Sequence, residues 1–163
     1  MKTIILVRHA KAKDAFIGQK DFDRTLSEKG QKDIVKSGRI FEKLNLKPEL
    51  ILCSQSIRTR MTLDLLNPFL GKNSQICYPD EIYENNTSDI LKLIAKQNDN
   101  IERILIVGHN PSMQELTEIL SEEGFPYDNF GTGNISIITL SINKWNKIKD
   151  AKGELKYLIS PKQ

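Results

Sequence analysis

The sequence predicts an α/β protein: a three-layer sandwich with a mostly parallel central sheet, helices on both faces and an antiparallel edge. Three observations predict it. Short, unbroken aliphatic runs at residues 3–7, 50–53 and 104–107 read as strands buried on both faces. Helix-length segments with apolar residues at three- and four-residue spacing stand between them. Two closing runs, residues 135–142 and 154–159, flank a turn at 150–153 and should pair antiparallel at an edge.

The first strand stops at Arg8-His9-Ala10. Side chains just past the carboxyl ends of parallel strands face the crevice where open α/β sheets bind ligands, so a cation and an imidazole there are placed to act on an anion. The polar, irregular segment 11–25 follows, with Gly18 and the cluster Asp21-Phe22-Asp23-Arg24, and is expected to wall that crevice. Ser27 is the expected N-cap of a helix that buries Ile34, Gly38, Phe41 and Leu44. The second strand leads to Ser54 or Ser56 as the cap of another helix, with Ile57, Met61, Leu65 and Phe69 as its apolar stripe. Arg58 falls in the first turn, off that stripe. A guanidinium matches the positive end of a helix dipole poorly, unless an anion is bound jointly by Arg58 and the free backbone N–H groups.

A weak strand at 76–78 precedes Pro79 to Glu84, and Thr87 or Ser88 is the expected cap of a helix with Ile90, Leu91 and Ile94 inward. The strand at 104–107 then repeats the plan of the first, ending in Gly108-His109-Asn110-Pro111. Asn110 reads as N-cap and Pro111 as the first helical residue. Met113, Leu116, Thr117 and Leu120 continue the buried face to a stop at Gly124. A Gly- and aromatic-rich loop at 124–134 is placed to rim the site, and Trp145 reads as core. His9 and His109 are the only two histidines of the chain, and both follow buried strands.

Composition narrows the function class. At 163 residues the chain is expected to form one domain spanning 1–163 and to bury roughly two thirds of its unfolded surface. Its net charge of +3 comes from interspersed lysines and carboxylates rather than a basic tract, which argues against nucleic acid as partner. No apolar stretch approaches the ~20 residues of a membrane span, and the N-terminal run is too short for a signal peptide. Cys53 and Cys77 lack metal-ligand spacing, so no metal and no cofactor are expected. Cytoplasmic placement is the expectation.

Arg8-His9-Ala10, Arg58 after the second strand and Gly108-His109-Asn110-Pro111, each on its expected element, resemble the histidine phosphatase superfamily, with its phosphoglycerate-mutase-like fold. Within it, Asp23-Arg24-Thr25-Leu26-Ser27 leading to Gly30, and the terminal Ser160-Pro161, are most similar to the short bacterial phosphohistidine phosphatases. The resemblance implies that His9 is a nucleophile that becomes phosphorylated, and that Arg8, Arg58 and His109 hold the phosphoryl oxygens. Imidazole is largely neutral and nucleophilic at cellular pH, and a guanidinium fork pairs with two oxygens at once. Glu84, and after it Glu81, are the candidates for a general acid; Lys11, Arg24 and Asn110 are candidates for the substrate rim.

The resulting expectation is a metal-independent phosphatase. Its substrate would be a phosphorylated protein, with phosphohistidine on a signalling or phosphotransfer protein preferred, since the chain has little length to spare for a lid. A phosphatase or mutase for a small phosphoester, and a non-catalytic phosphate-binding module, are the alternatives. Oligomeric state is left open, with a monomer compatible.

Overall fold

A computed structural model describes residues 1–163. Six strands form one sheet: β1 (Lys2–Arg8), β2 (Leu50–Cys53), β3 (Gln75–Cys77), β4 (Arg103–Gly108), β5 (Ile135–Leu140) and β6 (Gly153–Ile159). Their spatial order is β3-β2-β4-β1-β5-β6, so β4 lies between β1 and β2. The first four strands run parallel; β5 is antiparallel to both of its neighbours. The antiparallel edge predicted from sequence is present.

Five helices cover the sheet: α1 (Glu28–Glu42), α2 (Ile57–Leu66), α3 (Asp80–Glu84), α4 (Thr87–Ala95) and α5 (Ser112–Leu120). Alternate residues of the central strands point to opposite faces, as the pleat requires. Ile5, Val7, Ile51, Cys53, Leu105 and Val107 pack under α1 and α2 with Ile34, Phe41, Leu63 and Leu66. Ile4, Leu6, Leu50, Leu52, Ile104 and Ile106 pack on the other face with Ile82, Ile90, Ile94, Met113 and Leu116. The strands are therefore aliphatic throughout because both faces are covered.

Register decides where the chemistry falls. Arg8 is the parallel partner of Gly108, so the next residues, His9 and His109, emerge side by side at the same end of the sheet. Cys53 pairs with Val107, which brings Ser54 and the start of α2 to that end too.

Several local expectations need correction. The buried face of α2 carries Arg58, Thr59, Thr62, Leu63 and Leu66, while Ile57, Met61, Leu65 and Phe69 are only half-buried. Its threonines satisfy their hydroxyls locally, Thr62 donating to the Arg58 carbonyl at 2.7 Å, so polar residues occupy the inner face without penalty. Phe69 lies beyond the helix, in a 3₁₀ turn. Asn86, not Thr87 or Ser88, caps α4, accepting from the Asp89 N–H at 3.0 Å. Asn110 does not cap α5: the Ser112 N–H is met by Asn85 Oδ1 at 3.2 Å, and Asn110 turns its amide to the Phe130 carbonyl at 2.9 Å. Helix α5 stops at Leu120, before Gly124, because Ser121 turns extended and bridges to Gly153. Between β5, which ends at Leu140, and β6 the chain folds a 3₁₀ helix, Trp145–Asp150, that seats the buried Trp145.

The wall segment 11–25 is docked onto α1. The Lys11 carbonyl accepts from the Ser27 N–H at 2.9 Å and from its hydroxyl at 3.1 Å, and Ser27 Oγ in turn caps the Gly30 N–H at 3.0 Å. A Cβ on Gly30 would stand 2.1 Å from that carbonyl oxygen. Gly30→Ala is therefore expected to cost about 1–3 kcal/mol and to lower Tm by several degrees, since backbone rather than a flexible side chain must give way. A melting curve superimposable on the wild type would show the docking to be looser than this.

Candidate active site

Arg8, His9, Lys11, Arg24, Arg58, His109 and Asn110 all line one cavity of about 500 Å³ at the carboxyl ends of β1, β2 and β4. Asp21, Tyr83, Asn85 and Thr132 complete it with Ala12. Glu81 and Glu84 do not: both lie on the short helix α3, and Glu84 is exposed while its neighbours Tyr83 and Asn85 face the cavity.

His9 is fixed by its backbone and by one ring nitrogen. Its N–H donates to the Gly108 carbonyl at 3.0 Å, and its carbonyl accepts from the Gly133 N–H at 3.1 Å. Nδ1 lies 2.7 Å from the Ala10 carbonyl oxygen. A carbonyl only accepts, so Nδ1 carries the proton and Nε2 of the neutral ring keeps its lone pair. The Ala10 N–H donates to Thr62 Oγ1 at 3.0 Å, tying the end of β1 to the first turns of α2.

His109 stands 5.3 Å from His9, ring centre to ring centre. Arg58 Nη2 lies 3.3 Å from its Nδ1, and Ser54 Oγ lies 2.8 Å from its Nε2. A guanidinium only donates, which makes Nδ1 the acceptor and Nε2–H the donor to Ser54. His109 is thus also neutral. Burial pushes His9 down to about 4, the Ala10 bond opposing and the charges of Arg58, Arg8 and Arg24 adding to it. His109 is lowered to about 3, first by burial, then by His9 and Arg58.

This has a consequence for stability. Unfolded histidine titrates near 6.5, so below that pH the unfolded chain binds more protons than the folded one, and stability falls as pH drops from 6.5 toward 4. Tm measured at about pH 5 should lie below that at about pH 7; equal values would mean that these rings accept protons in the fold.

The cations are held from behind. Arg58 is buried; its Nη1 donates to the Asp21 carbonyl at 2.8 Å and its Nη2 to Asp21 Oδ2 at 3.0 Å. Arg24 reaches Asp21 Oδ1 at 3.3 Å, and the Tyr83 hydroxyl donates to Oδ2 at 3.2 Å. Arg8 Nη1 donates to the Phe130 carbonyl at 2.9 Å. Four buried side-chain polar atoms in the molecule have no partner, and three of them belong to cavity residues: Arg8 Nε, Arg58 Nε and Asn110 Oδ1. Two desolvated N–H donors beside a neutral imidazole suit a tetrahedral oxyanion, which would satisfy both. No group of three His, Cys, Asp or Glu side chains is arranged to hold a metal ion.

Sequence does not mark Asp21, Tyr83, Asn85 or Ser54 as site residues: Asp21 reads only as part of the wall cluster and Ser54 only as a helix cap. Asp21 opens a 3₁₀ turn, Asp21–Asp23, 37 residues from its partner Arg58, so no spacing rule connects them. Asn85 could have been suspected as a residue that tolerates a left-handed turn, which it adopts at φ 62°.

No protein-family model matches the chain. An uncharacterized chloroplastic protein of Arabidopsis thaliana is 28% identical over 98% of this chain and 78% of its own length. An uncharacterized protein of Mycobacterium leprae is 24% identical over 83% and 85% of the two chains. Among solved structures, a protein of Agrobacterium tumefaciens provisionally named as the phosphohistidine phosphatase SixA is 28% identical, covers 98% of both chains and superposes with a TM-score of 0.82. The protein histidine phosphatase SixA complexed with tungstate, 22% identical, shares the fold with a TM-score of 0.80 over 98% of this chain and 97% of its own. No helix is long and apolar enough to cross a membrane.

Proposed function

We infer that this chain, a member of the histidine phosphatase superfamily, is a phosphatase that works through a phospho-His9 intermediate and takes phosphohistidine on a signalling or phosphotransfer protein as its substrate. The observation that carries the reading is the neutral His9 ring, pinned at Nδ1, in a cavity that also holds the unpaired Nε–H donors of Arg8 and Arg58. His9 Nε2 attacks phosphorus, the bond from phosphorus to the leaving nitrogen breaks, and water then attacks phospho-His9 to release phosphate. Arg8 and Arg58 bind the equatorial oxygens as charge moves onto them. When Arg58 Nη2 turns to the phosphoryl group, His109 Nδ1 loses its donor, takes up a proton and donates a third charge-assisted bond, with Nε2–H still on Ser54.

The choice of leaving group follows from the carboxylates. Asp21 is the only one lining the cavity. Its partial burial acts to raise its pKa, but the Arg58 charge and the bonds from Arg58, Arg24 and Tyr83 outweigh this and hold it below the ordinary carboxylate range. It is therefore ionised at neutral pH and has no proton to give. An alkoxide needs such a proton; an imidazole leaves readily once protonated by solvent. This supports a phosphoramidate over an alkyl phosphoester.

The test is phosphate release, with chelator present, from a histidine-phosphorylated phosphotransfer protein, p-nitrophenyl phosphate and glycerol 3-phosphate. The expected order of kcat/KM places the phosphoprotein first and the alkyl ester last. Preference for the alkyl ester would replace this reading with the small-phosphoester one. Dependence on added metal would remove metal independence, and tungstate binding without any turnover would leave a phosphate-binding module.

A further inference from the structure

Setting aside the N-terminal Met1 at 73%, the most exposed large apolar side chains of the molecule are Ile17, which is fully exposed, Phe16 at 69% and Tyr127 at 63%. All three sit on the two loops that wall the catalytic cavity. Segment 11–25 contributes Lys11, Ala12, Asp21 and Arg24 to the cavity, and loop 124–134 contributes Thr132. Isolated exposed apolar residues are ordinary. Three of the most exposed, all on the two loops that contribute to one cavity, form a pattern.

The tip that carries Phe16 and Ile17 is built rather than frayed. Gln19 N–H donates to the Phe16 carbonyl at 2.9 Å, closing a reverse turn with Gly18 at φ 83°, the third-position geometry of a type II turn. Gln19 Oε1 accepts back from the Phe16 N–H at 3.3 Å, and its amide donates to the Asp23 carbonyl at 3.2 Å. The base is cross-tied by Lys13 N–H to the Thr25 carbonyl at 2.8 Å and by Arg24 Nε to the Lys13 carbonyl at 3.0 Å. Through Asp21 the same segment is bonded to Arg58. The turn is therefore tied to the cavity wall and, through Asp21, to Arg58.

Arg8 and Thr132 also line a second hollow of about 620 Å³, shared with Lys29, Asp33, Tyr127 and Asn129. The two hollows thus share Arg8 and Thr132 in their lining. A free phosphorylated side chain fits within the cavity and need touch neither Phe16 nor Ile17. Only an occupant with a wider footprint would cover them.

We propose that Phe16 and Ile17, with Tyr127 on the other wall loop, form a docking surface for a folded phosphoprotein whose phosphohistidine is ringed by apolar side chains. The inference rests on the phosphohistidine reading above and extends it to the partner. Charge fits this occupant: the cavity presents Arg8, Arg24, Arg58 and Lys11 against one carboxylate, matching a dianionic phosphoryl group, and the apolar residues stand outside it. Anion in the centre and apolar contact at the rim is the reverse of what a small, solvated phosphoester offers.

The test compares wild type with the double variant Phe16→Ser, Ile17→Ser on a histidine-phosphorylated phosphotransfer protein and on free phosphohistidine. The variant is expected to lose about tenfold or more in kcat/KM on the protein, chiefly through KM, and to stay within about twofold on the free amino acid. Equal losses on both substrates, or none on the protein, would overturn the docking surface alone. A dimer in the wild type that dissociates in the variant would also overturn it, assigning the patch to self-association. Wild-type protein that cleaves p-nitrophenyl phosphate but neither phosphohistidine substrate would overturn the substrate reading, and the docking surface with it.

Discussion

Replacing His9 with alanine is expected to lower turnover by at least about 10⁴-fold while leaving the fold intact. The ring contributes one hydrogen bond, Nδ1–H to the Ala10 carbonyl, and its backbone position is set independently by the Gly108 and Gly133 bonds. Its loss therefore removes the proposed attacking atom without loosening the strand. Burial and the surrounding guanidinium groups keep the ring at about 4, so it is unprotonated across the physiological range. The acid limb of kcat/KM should accordingly lie below about pH 5 rather than near the usual 6.5. Wild-type enzyme quenched during turnover should carry an acid-labile, base-stable phosphoryl group on His9, and the variant none. Phosphate release that survives His9→Ala would show that water or another group attacks phosphorus directly.

How far the sequence foretells this site depends on what kind of signal each residue has. His9 and His109 are legible because buried parallel strands are aliphatic runs with abrupt ends, and the residue after such an end faces the crevice. Their side-by-side register is the part that sequence leaves out, since nothing local says that β4 inserts between β1 and β2. Arg58 is legible as a cation at a helix start, yet its face is misread. Periodicity counts apolar residues, whereas the inner face of α2 carries Arg58, Thr59 and Thr62 beside Leu63 and Leu66, and the hydrogen bonds of the polar three stand in for apolar packing. Asp21 carries no periodicity at all. It enters the site through a non-local pairing with Arg58, and a carboxylate beside Asp23 in a polar loop looks like any solvated charge. The general-acid candidates fall outside the cavity lining for a related reason. Position along the chain points to the region of Glu81 and Glu84, but the left-handed Asn85 ends α3 so that Tyr83 and Asn85, rather than the glutamates, line the cavity.

Arg58→Ala is expected to lower kcat/KM by about 10²- to 10³-fold, the usual scale for one donor aimed at developing charge in a site shielded from water. Two of its nitrogens are committed to Asp21, so the edge it can present to an anion is Nε with the Nη2 proton that His109 Nδ1 otherwise accepts. Arg58→Lys restores the charge but not this geometry, because a single ammonium cannot both answer Asp21 and offer two parallel bonds to phosphate. It should recover little of the loss. Asp21→Asn separates aim from charge: Nη1 keeps its bond to the Asp21 backbone carbonyl, while the carboxylate that draws in Nη2 is gone. A weaker defect is expected there, of about tenfold and mainly in kcat, because oxyanion binding retains the full cationic charge while the fork loses its orientation. Tungstate affinity measured beside turnover distinguishes these cases. Arg58→Ala should weaken both, and Asp21→Asn should leave tungstate binding equal or tighter, since a negative charge that competes for the guanidinium has been removed. Tungstate binding weakened by Asp21→Asn as much as by Arg58→Ala would mean that the carboxylate sustains the architecture of the cavity rather than the aim of one side chain.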